Sequence, residues 1–123
     1  MALVLAAMAA AVVVGGPAYA EADKRATAYD ANVIGTAYDS QILGPVLQNA
    51  DLIHACANRL RIALSKDTPA FHVVISFKDG VFTSAILDND TPFGRCVAER
   101  VAGLALPKAP IADYAERLTF RFE

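Results

Sequence analysis

Between positions 71 and 87 the chain reads Phe-His-Val-Val-Ile-Ser-Phe-Lys, then Asp-Gly, then Val-Phe-Thr-Ser-Ala-Ile-Leu. Two alternating apolar stretches joined by Asp-Gly leave few options. A type I′ turn needs positive φ at both central residues, and Asp and Gly adopt it at the least cost. The stretch is therefore expected to be a β-hairpin turning at Asp79-Gly80. A two-residue turn sets Lys78 opposite Val81, Phe77 opposite Phe82, Ile75 opposite Ser84 and Val73 opposite Ile86. Phe71, Val73, Ile75, Phe77, Phe82 and Ile86 then share an apolar face that two strands alone cannot bury. The opposite face carries His72, Val74, Ser76, Thr83 and Ala85, with Val81 and Leu87 at its ends, and is expected to be solvated. A one-residue slip would exchange the faces, and the Phe77-Phe82 pair at the turn is expected to oppose it.

The flanking segments supply a cover. Val46, Ala50, Ile53, Cys56 or Ala57, Leu60 and Leu64 recur at spacings of three and four, which predicts a helix over residues 45–65. Gly44-Pro45 fits its first turn, where a missing amide hydrogen costs nothing, and Asp67-Thr68-Pro69 ends it. Beyond the hairpin, Asp88-Asn89-Asp90 forms a loop, Thr91 an N-cap and Pro92 the first helical position. The second helix presents Phe93, Cys96, Val97, Val101 and Leu104 along one stripe. Pro107 and Pro110 force an extended crossing, and residues 117–122 alternate strictly, a third strand with Leu118, Phe120 and Phe122 inward. The order is α-β-β-α-β. The expected fold is α+β, with two helices packed on one face of a three-stranded antiparallel sheet.

Residues 1–20 have a different character. They are almost entirely apolar and end in Ala18-Tyr19-Ala20 before the polar Glu21, Asp23, Lys24 and Arg25. Small residues at Ala18 and Ala20 suit a signal peptidase, with cleavage expected after Ala20. No Lys or Arg precedes the apolar run, so the positive charge would come from the amino group alone or from a start further upstream; a retained membrane anchor and a core helix are the alternatives to a cleaved signal. Residues 21–40 hold Thr-Ala-Tyr-Asp twice, at Thr27 and at Thr36, and are expected to form a linker or a short extra strand. A recognition segment displaying Tyr29 and Tyr38 is the alternative. The domain proper is expected over residues 41–123.

Cys56 and Cys96 are an even count, which in an exported chain reads as one disulfide; two reduced thiols packed as small hydrophobes are the alternative. The net charge of -2 with scattered signs argues against nucleic acid as a partner. Catalytic and metal sites find little support. His54 lies two residues from Cys56 and His72 on a strand, with no further ligands in sight, and a disulfide sulfur is neither ligand nor nucleophile. Asp88 and Asp90 are expected as turn and helix-start acids rather than paired catalytic carboxylates. No motif calls for a cofactor.

The pattern resembles the AgmX/PglI C-terminal family, relatives of the TonB C-terminal domain, over about residues 40–123. It rests on Ile42 and Val46 leading to Ile53-His54-Ala55-Cys56, on the Asp79-Gly80 hairpin and on Arg95-Cys96-Val97. Leu104-Ala105-Leu106-Pro107-Lys108-Ala109-Pro110 and the terminal Thr119-Phe120-Arg121-Phe122 complete it. It departs in having Ala57 where a tyrosine commonly follows the first cysteine, a shortened hairpin turn, and Gly44-Pro45 within the first helix. The resemblance implies a non-enzymatic cell-envelope module, periplasmic or secreted, that binds an extended segment of an envelope protein or peptide at a sheet edge. Arg117, Thr119 and Arg121, on the outward face of the last strand, would orient an acidic segment; a solvated face whose charges discourage aggregation is the alternative. The alternatives are a small exported enzyme or enzyme inhibitor, and a self-associating subunit that dimerises through residues 118–122.

Overall fold

The computed structural model describes residues 10–122. Its elements are β1 (Ala11–Val14), α1 (Gly16–Tyr29), α2 (Val33–Tyr38), a π turn (Asp39–Leu43), α3 (Gly44–Asn49) and α4 (Leu52–Leu60). They continue with β2 (Phe71–Lys78), β3 (Val81–Leu87), α5 (Pro92–Ala102) and β4 (Ala115–Phe120). The fold is mixed α+β, and the α-β-β-α-β order holds from α4 to β4. Among the described residues, however, the sheet has four strands in the order β1-β3-β2-β4, and β1 runs parallel to β3. The expected three-stranded antiparallel sheet is therefore its β3-β2-β4 part.

The hairpin turns at Asp79 and Gly80, both at positive φ (52° and 79°). Lys78 faces Val81 and Phe77 faces Phe82, as the turn requires. Beyond them the register slips by one, so Ser76 faces Ser84, Ile75 faces Ala85 and Val73 faces Leu87. Thr83 is the extra residue of this β-bulge, and its hydroxyl donates to the Ser76 carbonyl at 3.2 Å. The slip corrects the expected faces: Ala85 and Leu87 join Val73 and Ile75 in the main core, while Ile86 joins Val74 on the other side. It costs no burial because that other side is not solvated. Helix α1 lies on it, and Ala22 and Ala26 pack against Val74, Ile86 and Ala115. A sheet covered on both faces tolerates consecutive apolar residues such as Ala85, Ile86 and Leu87.

Residues 21–40, expected as a linker or short extra strand, are mostly helical. Alanines at 22 and 26 recur one turn apart and bring the helix close to the sheet. The expected signal segment is also structured from Ala11 onward: β1 pairs Val12 with Ala85 and Val13 with Ile86, and Ala18 and Ala20 lie in α1. Residues 1–9, the first part of that segment, lie outside the described residues. No helix among the described residues is long and apolar enough to cross a membrane.

The helix expected over residues 45–65 is broken. Pro45 has no amide hydrogen, and the Gly44 N–H bonds to the Asp39 carbonyl five residues back, forming the π turn. Asp51 takes a left-handed conformation (φ 45°) between α3 and α4. Arg61 does the same (φ 57°) as α4 ends, where the Ile62 N–H returns to the Ala57 carbonyl at 2.9 Å. Helix α5 starts as expected, the Thr91 hydroxyl accepting from the Gly94 N–H at 3.0 Å.

Helices α4 and α5 pack together and are joined by the Cys56–Cys96 disulfide, with a Cα–Cα distance of 5.9 Å. The bond closes a loop of 40 residues, which in the chain-entropy picture stabilises the fold by about 4 kcal/mol. Phe71 stacks on Phe120 at 4.9 Å between ring centres and meets Phe93 edge-on, closing the core at the far end of the sheet.

Candidate binding groove along the free sheet edge

Among the described residues strand β4 pairs with β2 on one side only, so its outer edge closes the sheet. The Phe77 N–H donates to the Tyr114 carbonyl at 2.9 Å, and bonded and non-bonded pairs alternate along an antiparallel ladder. Counting along the register from that pair, Glu116, Leu118 and Phe120 bond inward to β2. Ala115, Arg117 and Thr119 therefore turn their N–H and C=O groups to the open edge. That edge borders a groove of about 690 Å³, within the range of ligand-binding clefts. One wall is the end of α1 with α2 and the π turn, through Tyr29, Asp30, Gly35, Thr36 and Asp39. The other is α3 and α4, through Leu47, Gln48, Asp51, Leu52, Ile53 and His54.

The repeated Thr-Ala-Tyr-Asp builds the first wall. Each copy ends a helix, α1 at Tyr29 and α2 at Tyr38, and places the following aspartate at the C-cap. Both tyrosine rings lie 5.6 Å from the ring of Tyr114, which they enclose. The Tyr38 hydroxyl donates to the Pro107 carbonyl and the Tyr29 hydroxyl to Asp113. Gly35 lets Tyr114 in: a Cβ at that position would stand 2.9 Å from Tyr114 Cε1.

At the floor, the Tyr114 hydroxyl donates to Glu116 Oε1 at 2.5 Å, and the Gly35 carbonyl lies 3.2 Å from the same hydroxyl. Burial, reinforced by a hydrogen bond shared with Asp39, pushes the Glu116 carboxyl up to about 8. Glu116 is thus mostly protonated at neutral pH and can donate to Asp39. Burial and the neighbouring Glu116 push the Tyr38 phenol up to about 12, and burial likewise raises Tyr114. These hydroxyls act as donors rather than as anions.

The expected edge residues fall in three settings. The Arg117 guanidinium donates to the Asp23 carboxylate, to the Asp23 carbonyl at 3.2 Å and to Thr27 Oγ1 at 2.7 Å, and lies 3.6 Å from Asp30. It ties β4 to α1. Thr119 lines the groove, and its hydroxyl meets His72 Nδ1 at 3.1 Å. Arg121 is exposed just past the end of β4. The groove's acidic side chains are Asp30, Asp39, Asp51 and the protonated Glu116, with Arg117 beside Asp30. This differs from the acid-binding surface expected of the strand's arginines.

Asp39, Tyr114 and Glu116 were not evident as site residues from sequence. A signal was present: in the alternation Tyr114, Glu116, Leu118, Phe120, a single carboxyl sits on the apolar face. Asp90 pairs with Arg95 through two hydrogen bonds, at 3.0 and 2.9 Å, which holds its carboxyl below the usual range. It thus serves the start of α5. His54 is exposed and 3.6 Å from Asp51, and no cluster of three or more metal-ligating side chains occurs among the described residues. Comparison of the chain with family models, with curated proteins and with solved structures finds no match.

Proposed function

We propose that the protein is a non-enzymatic interaction module of the cell envelope that takes up an extended segment of a partner along the free edge of β4. The observation that carries this is the coincidence of an unpaired strand edge with a groove along it. Backbone pairing there supplies affinity without reading sequence, and the groove walls supply selectivity. The carboxyl groups on those walls favour a partner segment with Lys or Arg side chains. The resemblance to TonB-like domains supports the same mode, and the Cys56–Cys96 disulfide suits an oxidising compartment outside the cytoplasm.

Thr119→Pro tests the proposal. Thr119 turns its N–H outward, and edge strands tolerate proline where the N–H faces out. The variant is expected to fold, with its disulfide intact, and to lose at least tenfold in affinity for a Lys-bearing extended peptide in a fluorescence titration. Unchanged affinity in the folded variant sinks the proposal.

A second reading draws on Glu116, a carboxyl that stays protonated at neutral pH beside a second carboxyl in a groove, as in acid–base hydrolases. In that case Glu116→Gln abolishes turnover of a scissile substrate, whereas a binding module has no turnover to lose and keeps its affinity below neutral pH, where Glu116 carries its proton.

A further inference from the structure

The second edge of the sheet is occupied by the chain itself. Residues 11–14 lie parallel along β3 with Val13 beside Ile86 and Val14 beside Leu87, and the Gly15 N–H donates to the Leu87 carbonyl at 2.7 Å. Val12 and Val14 pack on the disulfide-bearing core, and Val13 on the cluster beneath α1. The strand thus seals both layers at once. It also lies wholly upstream of Ala18-Tyr19-Ala20, the small-residue pattern at which a signal peptidase cuts.

Helix α1 is built to survive that cut. Its present first turn contains no acidic residue. A helix beginning at Glu21 instead has Glu21 and Asp23 in its first turn, where negative side chains suit the helix dipole. Ala22 and Ala26, which hold α1 to the sheet, both lie beyond the cut.

We infer that residues 11–14 are a removable plug, and that their excision turns the β3 edge into a second strand-accepting site for a parallel, uncharged segment of small β-branched residues. Hydrolysis of the Ala20–Glu21 amide by a signal peptidase, water supplying the hydroxyl to Ala20 and the hydrogen to the Glu21 amine, removes β1. It leaves the N–H and C=O groups of β3 unpaired, a state that edge strands relieve by pairing. The occupant is defined by what fills the site now: a middle side chain the size of Val13 against Ile86, flanked by two that reach the main core.

The test uses the chain recovered from an exporting host beside an Ala18→Phe form, which keeps residues 1–20 because the cleavage pattern needs a small residue there. Ala18 is exposed, so the change disturbs no packing. Both are titrated with a fluorescent peptide of residues 10–15, Ala-Ala-Val-Val-Val-Gly, and with a control carrying Ser for each Val. The expected result is an intact mass beginning at Glu21 and saturable uptake by that form, at least tenfold tighter for the valine peptide, with none by the Ala18→Phe chain. In the uncut chain, Val13→Pro removes a ladder donor and is expected to open the edge to the same peptide. A mass beginning at Met1, equal uptake by both chains, or no uptake by the processed chain whether folded or unfolded overturns the inference.

Discussion

Replacing Glu116 with Gln isolates the most unusual group in the groove. In the folded chain the Glu116 carboxyl holds its proton up to about 8, against an ordinary value of 4.5. Between those limits the folded state binds a proton that the unfolded chain has released, so stability falls as pH rises through the window. At about 1.36 kcal/mol per unit, the displacement corresponds to an upper bound of about 5 kcal/mol. The carboxyl is only partly buried, and solvent screening reduces this to about 2 kcal/mol. Gln keeps an oxygen for the Tyr114 hydroxyl and a donor for Asp39, but has nothing to ionise. Urea unfolding from about pH 5 to about pH 9 should therefore show the two proteins converging at the acid end. At the alkaline end the variant should be more stable by about 2 kcal/mol, a gain of about 8 to 15 °C in melting temperature for a domain of this size. Parallel stability profiles for the two proteins across the whole range would refute a proton held at Glu116.

Three further outcomes follow from the same geometry. A cationic peptide side chain in the groove stabilises the ionised Glu116 and lowers its pKa, so affinity for a Lys-bearing peptide should rise with pH up to about 8 and level off above it; titration calorimetry should find this rise removed in Glu116→Gln. Replacing both Cys56 and Cys96 with Ser should cost about 4 kcal/mol of unfolding free energy, read from the shift in urea midpoint. Gly80→Ala should destabilise the fold by about 1 to 3 kcal/mol in the same assay. Gly80 has φ 79°, a Cβ there would stand 2.9 Å from the Ala109 carbonyl, and its backbone bonds to Ala109 and Ala112 would be strained.

The candidate site was only partly legible. The last strand and its inward residues Leu118 and Phe120 follow from alternation, and the structure has them so. The chemistry around it does not follow from alternation. Arg117 reads as a free cation on an outward face until α1 supplies Asp23 and Asp30. Glu116 reads as an isolated acid until the π turn brings Asp39 to it, a turn tied to the missing amide hydrogen of Pro45.

What the sequence determined by itself was local: the Asp79-Gly80 turn, the Thr91-Pro92 helix start, the apolar stripe of α5 and the alternation of β4, each written in the preferences of a few neighbouring residues. What only the tertiary structure decided was which surfaces are covered. Residues 11–29 lack a strong period of their own, yet they form β1 and α1 because the β3 edge and the outer sheet face need partners. Once both faces were covered, the Thr83 bulge could turn Ala85 and Leu87 into one core and Ile86 into the other without exposing any of them. Burial is a property of two surfaces meeting, and periodicity along one segment records only its own half of that contact.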